Sequence, residues 1–190
     1  MNTLTAEIRS PNVKVKSLRR SGFVPCCIFG PQLPDSLSIQ IDKLSAEKLL
    51  RNKGEGCTVN IDLDGKKTAV LIKDVSKNTL KNEIEHIGFQ VLDATKKINS
   101  KAKIILQNRD KAAGFIGQLL FEIPYTAFPA DIIESVTIDM ADIPIGSQLT
   151  LNDLEISKNE NIQLLLDGDS VVLTVADIKR ASDTAASEAE

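Results

Sequence analysis

The stretch "CTVNIDLDGKKTAVLIKDV", Cys57 to Val75, sets the fold class. Cys57, Val59, Ile61 and Leu63 fall on one face of an extended chain, with polar residues between them. Asp64-Gly65 follows, a pair suited to the positive φ angles of a two-residue type I′ turn, and "KTAVLIKDV" returns as the partner strand. The centre of this half is therefore an antiparallel hairpin with one buried face. Outward from it, "TLTAEIR" places Leu4, Ala6 and Ile8 on one face and Thr5, Glu7 and Arg9 on the other. "VPCCIF", "LSIQI" and "IEHIGFQVL" read as further strands, the last with Ile87, Phe89 and Val91 inward and His86 outward. "DKLSAEKLLRNKG" carries Leu44, Leu49 and Leu50 and suits a helix stopped at Gly54.

The expectation for this half is a small β-barrel with one or two helices, over residues 1–95. "DATKKINSKAK" reads as a polar link. Residues 96–179 form a second, mostly β domain, from "AKIILQ", "SVTIDM", "QLTLNDL", "IQLLL" and "SVVLTVADI", with loops around Pro124, Pro129 and Pro144. The small, acidic end, residues 180–190, is expected to be disordered. The fold class is mainly β with a few helices (α+β).

Across 190 residues the net charge is −3 and hydrophobic content is 42%, enough for a packed core. The total hides an asymmetry. Residues 1–95 carry 14 Lys/Arg against 11 Asp/Glu, and the remainder carries 9 against 15. Aromatic content of 4% without Trp argues against a ligand cage of stacked rings and a strongly base-stacking RNA sheet. Cys26, Cys27 and Cys57, odd in number and two adjacent, read as buried reduced thiols, with no zinc spacing. No leader and no membrane-length apolar run is expected, so the reading is cytoplasmic.

Cations gather in "KVKSLRRSG": Lys14, Lys16, Arg19 and Arg20 follow Arg9. Lys73, Lys77 and Lys81 end another strand, and His86 lies outward soon after. A charge run is most often a solvated face; convergence on one surface would instead neutralise phosphates and release counterions. Enzyme chemistry finds no support: there is one histidine, no nucleophile elbow, no P-loop, and Asp62/Asp64 are turn residues. No cofactor or metal is expected. "GFIG", Gly114 to Gly117, matches a four-residue RNA-binding pattern but lies in the acidic half.

"AEIR", "KSLRRSGFVPCCIFG", the Asp-Gly hairpin with "VLIKDV", and "EHIGF" occur in the order and spacing of a known family. The chain resembles the bacterial large-subunit ribosomal protein L-twenty-five family in its longer two-domain form, the general stress protein Ctc. "FPADIIESVTIDMADIPIGSQLTLNDL" and "VVLTVADI" extend the likeness through about residues 3–178. The resemblance implies a structural protein whose N-terminal β-barrel binds 5S ribosomal RNA in the large subunit, with ribosomal proteins as candidate partners of the C-terminal domain. Arg9, Lys16, Arg19, Phe29 and His86 match family positions that touch RNA, and Arg20 fits the second arginine. With Lys14 and Lys77 these are the candidate RNA-binding residues. Phe29 stands where the family usually has tyrosine, Ser17 where it has a basic residue, "DVSKNT" where it has "DVQRHP", and Gly88 where it has aspartate. These departures leave open a stress-associated protein-binding module that has partly lost its RNA site. A small-molecule barrel would need a deep apolar pocket.

Overall fold

The computed structural model describes residues 3–31, 33, 35–81, 83–111, 114–141, 143–159 and 161–177. The expected acidic tail lies outside them. The chain divides into two compact units, Met1–Lys96 and Lys97 onward.

The first unit runs β1 (Thr3–Ile8), α1 (Val15–Arg20), β2 (Phe23–Phe29), β3 (Leu37–Asp42), α2 (Lys43–Asn52), β4 (Thr58–Leu63), β5 (Lys66–Asn78) and β6 (Glu83–Val91). Its six strands close into a barrel in the order β1-β3-β2-β6-β5-β4, sealed by parallel pairing of β1 with β4. The β4–β5 hairpin has the expected turn: Asp64 and Gly65 take φ of 51° and 84°, and the Asp62 carboxylate accepts from Gly65 N–H at 2.9 Å. The barrel interior is filled. Ile39, Ile61, Val70, Ile72, Ile87 and Phe89 are wholly buried, so the lumen is a core rather than a ligand cavity.

Helix α2 starts where Asp42 accepts from Ser45 N–H at 3.0 Å. It ends earlier than the sequence predicts, at Asn52, and not on a left-handed glycine. Lys53 takes extended backbone and its N–H closes on the Leu49 carbonyl at 2.7 Å. The Lys53 ammonium then reaches the Thr58 carbonyl at 2.8 Å, tying the helix end to β4.

In the second unit, β7 (Ile98–Gln107), β8 (Phe115–Gln118), β9 (Glu122–Ala127), β10 (Ser135–Asp139), β11 (Gln148–Thr150), β12 (Gln163–Leu164) and β13 (Val171–Ala176) make two sheets, ordered β10-β7-β9-β12 and β11-β13-β8. Three differences from the sequence reading have local causes. Strand β7 begins at Ile98, inside the expected link, because Ile98, Ser100, Ala102 and Ile104 alternate inward. "EIPYTA" is strand β9 despite Pro124, since Ile123, Tyr125 and Ala127 supply a buried face and β9 pairs on both sides. "QLTLNDL" is a strand only to Thr150. There the Asp153 carboxylate accepts from the Thr150 N–H and hydroxyl, both at 2.8 Å, and turns the chain into a short 3-10 helix.

Tyr125 anchors this unit. It is wholly buried, its hydroxyl donates to the Ile133 carbonyl at 2.9 Å, and it accepts from the Ile133 N–H at 2.9 Å. Tyr125→Phe strands both main-chain groups, at a cost of ~1–3 kcal/mol. Thermal unfolding followed by circular dichroism is expected to show the midpoint lowered by several degrees; an unchanged midpoint would refute this account of the anchor.

Candidate nucleic-acid interface

Between Glu7 and Asp35 the chain contains no carboxylate, and its cations cluster around α1. This helix has only six residues and no side-chain cap at Lys14. Leu18, buried, pins one side of it. Lys16, Arg19 and Arg20, spaced i, i+3, i+4, share one arc of its surface, and all are exposed. The helix stops at Gly22, whose φ of +86° provides the left-handed exit and whose carbonyl accepts from Lys43 N–H at 2.9 Å.

Arg19 fixes where that arc points. Its Nε and Nη2 both donate to the Glu85 carbonyl, at 3.2 and 2.8 Å. Glu85 directly precedes His86 on β6, so the forked bond brings the helix cations to the histidine's edge of the barrel. Nη1 has no hydrogen bond among the described residues. Lys43 and Glu83 form an ion pair at 2.8 Å at the start of the same strand. This contact raises the lysine pKa and lowers that of the glutamate, first through the hydrogen bond between them and then through their opposite charges.

Arg9 continues β1. Its N–H donates to the Ser38 carbonyl at 3.0 Å, and Nη2 donates to the Val13 carbonyl at 2.9 Å, which ties down the loop leading to α1. Its Nε is buried without an acceptor among the described residues. Neither Arg9 nor Arg19 is ion-paired with a carboxylate among those residues; the side chains of both donate to main-chain carbonyls.

The registers place side chains in rows across the outer face. Arg9 bonds Ser38; Ser38 pairs with Cys27, Cys27 with Gly88, and Gly88 with Asp74. In the next row, Glu7 pairs with Gln40 and Gln40 with Pro25, while His86 pairs with Ser76 on β5. Gln40 donates to the Glu7 carboxylate at 2.9 Å. Phe29, half-buried, leans toward Gly88: a Cβ there would lie 3.6 Å from the ring and 3.6 Å from the Asp74 Cβ. Arg9, Phe29, His86 and the arc of Lys16, Arg19 and Arg20 thus belong to neighbouring strands and the helix docked on them. Lys14 is exposed at the helix start.

Lys77 is placed elsewhere. A register shift between Ser76 and Lys77 pairs Lys77 with inward-facing Ile84. It lines a shallow recess with Glu47, Leu50, Arg51 and Ile84, on the α2 side. Lys81 is exposed beyond the end of β5.

The sequence reading gave Asp74 no role and took Cys27 for a buried thiol, which the structure corrects: Cys27 is half-exposed. Adjacent residues of a strand face opposite ways, so Cys26 is buried while Cys27 is half-exposed on the outer face. Burial pushes the Cys26 thiol up to about 12. Partial burial, and then the Asp74 charge, raise Cys27.

Residues 4–89 match the family model described as the Ribosomal L25p family, and residues 97–179 match Ribosomal protein TL5, C-terminal domain. Among curated relatives, the large ribosomal subunit protein bL25 of Nitrosomonas europaea is 33% identical over 180 residues, covering 91% of this chain and 90% of the relative. The bL25 of Bacillus pumilus is 29% identical over 167 residues, 85% of this chain and 80% of the relative. That of Akkermansia muciniphila is 29% identical over 194 residues, covering 100% and 95%. A closed barrel with a cationic helix on its wall, followed by a second β unit, is the domain plan of a structural ribosomal protein rather than an enzyme. The chain belongs to the bL25 family of large ribosomal subunit proteins, in its two-domain form. No helix among the described residues is long and apolar enough to cross a membrane.

The thiolate is the species that alkylates, so raised pKa values slow the reaction below that of an ordinary cysteine near pH 8. Native protein treated with iodoacetamide is expected to label slowly at Cys27 alone, with all three cysteines labelled after denaturation. Rapid labelling, or native labelling that survives Cys27→Ser, would contradict the assigned faces.

Proposed function

We propose that the chain is a structural component of the large ribosomal subunit in the cytoplasm, and that residues 1–95 bind 5S ribosomal RNA. The observation that carries this reading is the forked Arg19 bond to the Glu85 carbonyl, which holds an exposed cationic arc against the barrel of a bL25 family member. Phosphates are met by Arg9, Lys14, Lys16, Arg19 and Arg20, with His86 beside them. Their charges supply affinity without reading sequence. Arg19, anchored through one side of its guanidinium, loses little side-chain freedom on binding and offers Nη1 to a phosphate oxygen. Phe29 contributes a ring face without a hydroxyl. Lys77, turned toward α2, takes a secondary place. Residues 96–179 form a separate module that meets protein or solvent, and other ribosomal proteins are its candidate partners. Its exposed Phe115, Leu119 and Phe121 favour a protein contact there.

Gel-shift titration of the full chain with 5S ribosomal RNA at several salt concentrations tests the reading. Affinity is expected to fall steeply with salt, and Arg19→Ala to reduce the log–log slope by about one, the loss of one neutralised phosphate. Salt-independent or absent binding would overturn it. A chain lacking residues 96–190 is expected to keep its affinity within about tenfold on the counterion-release account; a larger loss would make the second unit a principal RNA binder.

A further inference from the structure

We propose that Phe29, Gly88 and Asp74 form a seat for one unpaired base of the bound RNA, and that Asp74 makes the seat selective for guanine. The inference rests on the RNA-binding reading and adds a base-specific contact to it.

Asp74 stands at the end of the outer row that begins at Arg9, directly opposite Gly88. It gets there through an irregularity in β5. Ile72 pairs with Phe89 and Asp74 with Gly88, so Lys73 is the extra residue. Without that extra residue Lys73 would oppose Gly88 and the aspartate would turn toward the core; bulges re-aim side chains in this way. The carboxylate is exposed and has neither a hydrogen bond nor an ion pair among the described residues. The other carboxylate on these rows, Glu7, is held by Gln40.

Gly88 leaves the strand bare between Asp74 and Phe29. Its backbone is not left-handed, so no positive φ demands glycine there. A Cβ would meet the ring and the aspartate at ordinary contact distance, 3.6 Å each. A longer side chain would fill the gap. What remains is the edge of an aromatic ring on one side, a carboxylate on the other and bare backbone between, with half-exposed Cys27 opposite Gly88 on the neighbouring strand. A flat base can stack on the ring and turn its edge to the carboxylate.

The carboxylate determines which base. Ionised, it only accepts hydrogen bonds, and two adjacent donors satisfy it best. Guanine alone presents adjacent N1–H and N2–H donors on its Watson–Crick edge. Adenine and cytosine each set an acceptor nitrogen beside the amine, and uracil flanks its one N–H with carbonyl oxygens; each turns a lone pair toward the carboxylate.

The test has a sign of its own. On a surface that merely attracts phosphate, removing a negative charge strengthens binding. Asp74→Asn in the full chain is instead expected to weaken binding of 5S ribosomal RNA about tenfold, with the salt slope unchanged, because no phosphate contact is lost. Gly88→Leu, which fills the seat, is expected to do the same. Kethoxal, which attacks guanine at N1 and N2, supplies a second measurement: wild-type protein should protect one unpaired guanine, and Asp74→Asn should expose it while the RNA backbone footprint persists. Circular dichroism and melting of both variants establish that they fold. An Asp74→Asn protein that binds as tightly as wild type or tighter, or keeps the guanine protected, overturns the seat and leaves the RNA reading standing. Failure of wild-type protein to bind the RNA at all overturns that reading, and the seat with it.

Discussion

Closure of the six-stranded barrel is the constraint from which the rest follows. Once β1 pairs with β4, each strand has one neighbour on either side, and the inward or outward sense of its residues is set by the core. Ile39, Ile61, Ile72, Ile87 and Phe89 fill the interior completely, so shifting any strand by one residue would drive polar side chains into a packed lumen. That cost locks the outer rows. Arg9, Cys27 and Asp74 come from three strands far apart in sequence, yet fall on one line because the core side chains beside them have a single arrangement. Among the described residues the pairing of β5 with β6 is irregular at two places, with Lys73 the extra residue of β5 at the first and Glu85 the extra residue of β6 at the second. The first turns Asp74 outward; at the second, Lys77 follows outward-facing Ser76 and so faces away from His86, opposite inward-facing Ile84.

Helix α1 depends on that frame. Six residues without a side-chain cap lie far below the length at which a helix persists alone in water. Lys16, Arg19 and Arg20 in addition repel one another along its surface. Burial of Leu18 and the Arg19 fork onto Glu85 offset both penalties. Sitting in the helix's last turn, Arg19 and Arg20 are also near its negative end, where cations are favoured. The cationic arc is therefore a tertiary feature: the same sequence freed from the barrel would be a flexible charged loop with no fixed geometry to offer a polyanion.

This explains which parts were legible in the sequence. Period-two alternation revealed β1, β4, β5 and β6, and the Asp64-Gly65 turn revealed their hairpin, because these signals are local. Strand β9 was hidden by Pro124, whose local veto is overruled by buried Ile123 and Tyr125 and by partners on both sides. The short 3-10 turn after Thr150 was hidden because a single Asp153 carboxylate decides it. In the interface, the concentration of cations was visible, but their sorting was not. Asp74 reaches the outer face only because Lys73 is an extra residue of β5, and nothing in a strand of alternating residues announces an extra one. The half-exposed Cys27 was hidden beside buried Cys26 for the simpler reason that its apolar neighbours masked the alternation.

The charges on this surface perform unlike tasks. Cations such as Lys16 and Arg20 gain affinity from any phosphate and so discriminate poorly among RNAs. A carboxylate in their midst opposes that general attraction at every approach, whatever the RNA. Glu7 limits its effect by accepting from Gln40, which leaves less of its charge to be answered by a ligand. Asp74 has no such bond among the described residues, and the ring of Phe29 and the bare backbone of Gly88 beside it offer none. An unanswered carboxylate reduces the general attraction for every RNA but is compensated only by one that brings paired donors to it. The difference between those two cases is selectivity, and a surface made of cations alone cannot supply it.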